Sequence, residues 1–123
     1  KAHEWMTYPR HLVNVTRRLK GVVIENRNAL DVIRAQDSPT SLFFVDPPYL
    51  PSTRTSAGYR CELNEDQHVD LLERLLAIKG RAMVAGYPSK LYDDMLKGWK
   101  RYERPHRANE SKRVRTEVLW VGP

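Results

Sequence analysis

Paired glycines, disulfide partners and long apolar runs are all missing from this chain of 123 residues. Its six glycines (Gly21, Gly58, Gly80, Gly86, Gly98 and Gly122) each stand alone, so no glycine-rich turn is present to let backbone close on a phosphate or cofactor. The single Cys61 cannot close an internal disulfide, which fits a reducing compartment. No apolar stretch approaches the roughly 20 residues of a membrane helix, and the first residues carry no signal-peptide pattern. Secreted disulfide scaffolds and helical membrane proteins are thereby set aside, and cytoplasmic is the default location. No Cys, Asp and His cluster surrounds His68, so packing in an amphipathic helix outranks metal binding there, and no metal site is expected. The length suits one domain with a modest core, small for an enzyme with a sizeable cofactor.

Positive charge is plentiful. The chain carries a net charge of +6, and its placement is uneven. Lys97, Lys100, Arg101, Arg104, Arg107, Lys112, Arg113 and Arg115 face only Glu103 and Glu110, so this segment accounts for the whole net charge. Such a concentration suits a phosphate backbone. On charge alone a solvated surface loop explains it equally well. Trp99, Tyr102 and His106 interleave with the charges, and packing accounts for those rings as readily as binding does.

Periodicity predicts alternating strands and helices. Gly21–Glu25 reads as a short buried strand, followed by a helix opening at Asn28. Ser38-Pro39-Thr40 interrupts, and residues 41–45 form a second strand. A Ser-, Thr- and Arg-rich loop from Pro51 to Cys61 leads to a helix beginning at Asn64-Glu65-Asp66-Gln67, with Gly80 expected to close it in a left-handed conformation. Residues 81–85 make a third strand, and Pro88-Ser89 open a third helix that Gly98 stops. Residues 99–104 and 116–121 form a terminal antiparallel hairpin around the basic loop. The expected fold class is α/β, a mainly parallel sheet with helices on both faces and its site beyond the carboxyl ends of the strands.

Asp46-Pro47-Pro48-Tyr49 lies at such an end, directly after Ser41-Leu42-Phe43-Phe44-Val45. An exocyclic amino group on a nucleobase is a poor nucleophile because its lone pair is delocalised into the ring. Two acceptors aimed at its hydrogens localise that pair, and the Asp46 carboxylate and the Pro47 carbonyl can serve. The prolines fix the backbone, since each locks its own φ and Pro48 keeps Pro47 extended. Tyr49 can stack on the base, worth about 1–3 kcal/mol for a base–aromatic contact. Asp and Pro also end strands for local reasons. The position after a buried strand in an alternating pattern favours the chemical reading.

On these residues the chain resembles the C-terminal half of a Dam-like DNA adenine-N6 methyltransferase. The resemblance runs from about Leu19 to Trp120. It also draws on Val22–Ala29, Tyr59, His68, Leu71, Gly86-Tyr87 and Arg115–Trp120, with the tetrapeptide its specific element. It implies a Rossmann-like sheet that binds S-adenosylmethionine, with DNA as partner. Asp46 and Pro47 would hold the N6 amino group, and Tyr49 would cover the flipped adenine. The methyl would transfer in line with no covalent enzyme intermediate. Asn28, Ala29 and Asp46 would border the cofactor, Asn28 standing where an acidic residue is common and where a helix cap is an equal reading. Arg54 and Tyr59 would lie in the loop approaching DNA, although a solvated loop charge is the plainer reading of Arg54. Cys61 has no role as nucleophile.

The chain departs from that pattern at the start. A Phe-x-Gly-x-Gly turn belongs to the resemblance and is missing, and Ala85 stands where a Ser is expected. Residues 1–18 are read as the remnant of an upstream or target-recognition segment, and 19–123 as the C-terminal part of the catalytic domain. A start at Lys1 suggests a truncated chain or a proteolytic remnant. Negligible activity alone, self-association, or completion by a missing N-terminal half in trans are the expectations. The competing readings are amino methylation of RNA or of cytosine N4, and a non-catalytic nucleic-acid-binding remnant.

Overall fold

The computed structural model describes residues 12–54, 58–107 and 114–123, with backbone alone for His106 and Arg107. In chain order the elements are helix α1 (12–19), helix α2 (Ala29–Gln36), strand β1 (Leu42–Val45), helix α3 (Glu65–Leu76) and strand β2 (Arg81–Gly86). Helix α4 (Lys90–Met95) and strands β3 (Lys100–Arg107) and β4 (Val114–Val121) follow. The four strands make one sheet in the order β1-β2-β4-β3. β1 and β2 run parallel, whereas β4 is antiparallel to both β2 and β3. The sheet is therefore mixed rather than mainly parallel. Its terminal hairpin contributes half of the strands, and a hairpin can only pair antiparallel.

The helices start where short polar side chains can satisfy their first amides. Asn28 Oδ1 accepts from Leu30 N at 2.8 Å and caps α2. Asn64 and Gln67 form a reciprocal capping box at α3, with Gln67 N donating to Asn64 Oδ1 at 2.8 Å and Asn64 N donating to Gln67 Oε1 at 2.9 Å. Helix α4 follows Ser89 and ends at Met95 with Leu96 as its cap, and Gly98 beyond it has a φ of +94° that few other residues would tolerate. Gly80 does not act as expected. Helix α3 ends at Leu76, and Gly80 is absent from the positive-φ glycines. Its requirement is steric, because a Cβ there would come within 2.6 Å of the Ser41 carbonyl oxygen. Asp37 joins the same region together, accepting from the backbone amides of Lys79 at 2.9 Å and Gly80 at 3.1 Å.

One face of the sheet carries the core. Ala82, Val84, Val118 and Trp120 are buried there with Ile33 of α2, Leu71, Leu72 and Leu75 of α3, and Tyr92 of α4. Phe43 and Val45 of β1 pack against this cluster, while their neighbours Leu42 and Phe44 are 63 % and 62 % exposed on the opposite face. The same α2, α3 and α4 that fill the core face leave that opposite face open, so the expected three-layer arrangement becomes two layers among the described residues.

Gly21–Glu25 is not a strand. Residues 22–26 have no regular structure, and Val23 and Ile24 are 78 % and 92 % exposed. The apolar run has the composition of a buried strand, but a strand requires a neighbour to take its backbone hydrogen bonds. None of the described strands pairs with it. The remainder of the 1–18 segment, residues 1–11, lies outside the described residues, as do 55–57 of the loop after the motif and 108–113 of the basic segment.

Candidate active site

Three strands bring the candidate residues to one end of the sheet. Asp46 follows the last residue of β1, with its side chain exposed, while Pro47 is buried and Tyr49 half-buried. Tyr87 follows the last residue of β2, which runs parallel to β1, so both chains leave the sheet at the same end. The Tyr49 and Tyr87 rings meet edge to face, with centroids 4.6 Å apart at 73°. Such T-shaped pairs exploit the ring quadrupole and add about 0.5–1.5 kcal/mol beyond area burial. From β4, Arg115 lies over the Tyr87 ring at 5.3 Å and donates from Nη1 to Tyr87 Oη at 3.2 Å. Burial, and next the negative charges of Asp46 and Glu117, push the Tyr49 phenol well above its ordinary range. It stays protonated at every physiological pH, so the ring presents an uncharged face.

Residues of the motif also line a groove of about 800 Å³. Its walls include Asn28, Ala29, Phe43, Asp46, Pro47 and Pro48. The three residues expected to border a cofactor, Asn28, Ala29 and Asp46, therefore share one concave surface. Asn28 does so with its Oδ1 already engaged as the α2 cap. Glu25, Arg27 and Asp70 also line the groove, as does the exposed thiol of Cys61. Glu25 and Arg27 form an ion pair at 3.8 Å, while Ile33 and Phe43 give the groove apolar surface. No glycine lines the groove, so the close backbone approach that a glycine turn allows is not available from these residues.

Arg54 and Tyr59 lie together, with the Arg54 side chain turned inward and Tyr59 half exposed. The Arg54 guanidinium stacks over the Tyr59 ring at 4.9 Å and donates from Nη2 to Glu62 Oε2 at 2.5 Å. Its side chain is only 6 % exposed, which corrects the expectation of a solvated loop charge. Glu62 also accepts from Tyr59 N at 2.6 Å, and these bonds, Arg54 first, hold its carboxyl below the usual range. Glu62 thus ties the two flanks of the loop together. Tyr59 remains half exposed and open to a ligand. His68 is wholly buried, with Nδ1 2.8 Å from Tyr92 Oη, and no group of three metal-ligating side chains occurs among the described residues.

Sequence reasoning missed Tyr87, Arg115 and Glu62 as partners of the motif and its loop. Tyr87 follows an isolated glycine at a strand end, which is a signal, but its pairing with Arg115 spans 28 residues and needs the antiparallel return of β4.

A model for the D12 class N6 adenine-specific DNA methyltransferases matches residues 3–109. The chain belongs to that family. The matched span includes the Asp46–Tyr49 turn, the groove and the Tyr59 loop, and it ends before β4. No curated protein matches the chain. Membership makes the chain part of a DNA-modifying methyltransferase family, and among the described residues no helix is long and apolar enough to cross a membrane.

Proposed function

We propose that this chain carries the amino-group-binding half of a DNA adenine-N6 methyltransferase, on part of a Rossmann-like sheet. The observation that supports this reading most is the Asp46-Pro47-Pro48-Tyr49 segment at the carboxyl end of β1, where Asp46, Pro47 and Pro48 line the groove and the Tyr49 ring meets Tyr87. Asp46 accepts one hydrogen of the adenine amino group and the Pro47 carbonyl the other. Together they draw the nitrogen towards tetrahedral geometry and localise its lone pair. Pro47 and Pro48 hold both acceptors without reorganisation. Tyr49 covers the face of the base, which must leave the duplex because its amino nitrogen cannot reach such a turn from within the stack.

Asn28, Ala29 and Asp46 would border S-adenosylmethionine in the groove, with Asn28 offering its amide N–H groups beside the cap. When bound, that group supplies an electrophilic methyl on a cationic sulfur. Arg54 and Tyr59 would approach the DNA strand near the flipped base, Tyr59 directly and Arg54 by holding the ring. Residues 1–18 belong in this reading to an upstream or target-recognition segment, and 19–123 to the C-terminal part of the catalytic domain.

The groove has no glycine turn, so methyl transfer by the chain alone should be negligible, and a second polypeptide in trans should restore it. The free edge of β1 favours self-association in its absence. In an enzyme completed in this way, Asp46→Ala should lower transfer of labelled methyl to adenine-containing DNA by at least about 100-fold, the scale of losing one preorganised polar contact to the reacting group. DNA binding should be largely retained. Normal transfer by that variant would sink the assignment. Nucleoside analysis by mass spectrometry separates N6-methyladenine from N4-methylcytosine or methylated RNA. A role in restriction–modification is one context for such an activity.

A further inference from the structure

The hairpin of β3 and β4 is longer than the sheet it joins. β2 ends at Gly86, which pairs with Val118, yet four further rungs continue beyond that point: Arg104 with Glu117, Pro105 with Thr116, His106 with Arg115, and Arg107 with Val114. At about 3.4 Å per residue these rungs extend roughly 14 Å past the end of β2. They project at the end where Asp46–Tyr49 and Tyr87 leave the sheet, and Arg115 ties the arm to that end through Tyr87. Arg104 and Arg115 stand on the same face of the arm as Glu117, because 115 and 117 alternate along β4 and Arg104 is directly opposite Glu117. The rungs beyond Val118 thus carry three arginines against one glutamate.

We propose that this hairpin is a DNA-engaging arm, in which Arg104 and Arg115 contact phosphates flanking the base presented to Tyr49. A two-stranded ribbon has the width of a B-form major groove, and a guanidinium carries five donors in a fork, enough to bridge an aromatic ring and a phosphate. The placement rests on the reading of Asp46–Tyr49 as the base-binding turn. The basic character of the arm does not. Phosphate contacts position without reading sequence, so the arm serves affinity and orientation rather than target choice.

The test is binding of a fluorescein-labelled duplex of 20 base pairs to the full chain, followed by anisotropy across a salt series. Each lost phosphate contact should flatten the slope of log K against log salt by about 0.9. Arg104→Gln and Arg115→Gln should each flatten it by that amount and weaken binding equally for adenine-containing and adenine-free duplexes. Arg104→Lys should keep the slope, which separates charge from folding damage. Lys79, at the opposite end of β2, supplies the charge-matched control, and Lys79→Gln should leave the slope unchanged. The arm is overturned if wild-type chain binds no duplex, if both arginine variants keep the wild-type slope, if Lys79→Gln flattens it as much, or if an RNA duplex is preferred. Asp46→Ala should keep the slope throughout. Transfer that survives in Asp46→Ala of the enzyme completed in trans, with arm-dependent binding by the chain intact, would sink the methylation reading and leave the arm standing.

Discussion

The two faces of this sheet are built from the same strands and differ in everything else. On one, Val84 and Trp120 are 0 % and 1 % exposed beneath α3 and α4, and on the other, Leu42, Phe44 and Tyr102 are 63 %, 62 % and 55 % exposed. Both faces are apolar in composition, and strand alternation alone does not rank them. What separates them is cover. The amphipathic α3 and α4 both pack on the Trp120 face, where Trp120 Nε1 also donates to Asp93 Oδ1 at 2.9 Å. An apolar residue contributes to stability only where a second surface removes it from water.

The sharpest way to break the comparison is a truncation beneath the covered face. Leu72→Ala, beneath the covered face at 0 % exposure, should cost about 2–5 kcal/mol through lost transfer energy and the cavity left behind. Urea unfolding measures it, and a loss under about 1 kcal/mol would mean the core is not packed as described.

A smaller effect concerns the buried imidazole on the same face. Burial, with the Arg54 charge second, holds His68 below its ordinary titration range despite the opposing pull of Glu65. The folded state therefore binds a proton less readily than the unfolded one. Stability is full above the unfolded value of about 6.5 and is lost as pH falls from there to the lower folded value. NMR titration of His68, alongside unfolding at pH 7.5 and pH values below about 6.5, should show the ring still neutral where a free histidine is charged. Titration at or above the ordinary value would contradict the burial account.

The smallest effect belongs to the open face. Phe44→Ser should change stability by less than about 0.5 kcal/mol and reduce self-association in light scattering. A large loss of stability would show that Phe44 is covered in solution, and the contrast between the faces would vanish.

Much of the local structure was legible from the chain because its causes are local. Asn28 and Asn64-Gln67 announce helix starts through side chains that reach only two or three residues, and the structure has all three capping bonds. The reading of Gly21–Glu25 failed for the opposite reason. Its composition describes a strand, but whether a partner exists is a property of the whole sheet. Gly80 failed similarly, since the constraint on it comes from the carbonyls of Ser38 and Ser41, about forty residues earlier. Arg54 looked like a loop charge until Glu62 and Tyr59 closed around it.

The chemistry of the candidate site divides along the same line. By itself, the sequence determined the segment of Asp46, Pro47, Pro48 and Tyr49 at the end of β1, since four adjacent residues after an apolar run have their backbone restricted by two locked φ angles. It also determined the charge of the segment from Lys97 to Arg115. Only the tertiary structure decided that Tyr87 meets Tyr49 edge-on, that Asn28 and Asp46 share a groove, and that the basic hairpin overhangs the end where both lie. These are contacts between segments far apart in the chain, brought together by the parallel pairing of β1 with β2, the antiparallel return of β4 and the seating of α2. Sequence spacing does not encode them, because the register of the sheet alone brings such residues within reach of one another.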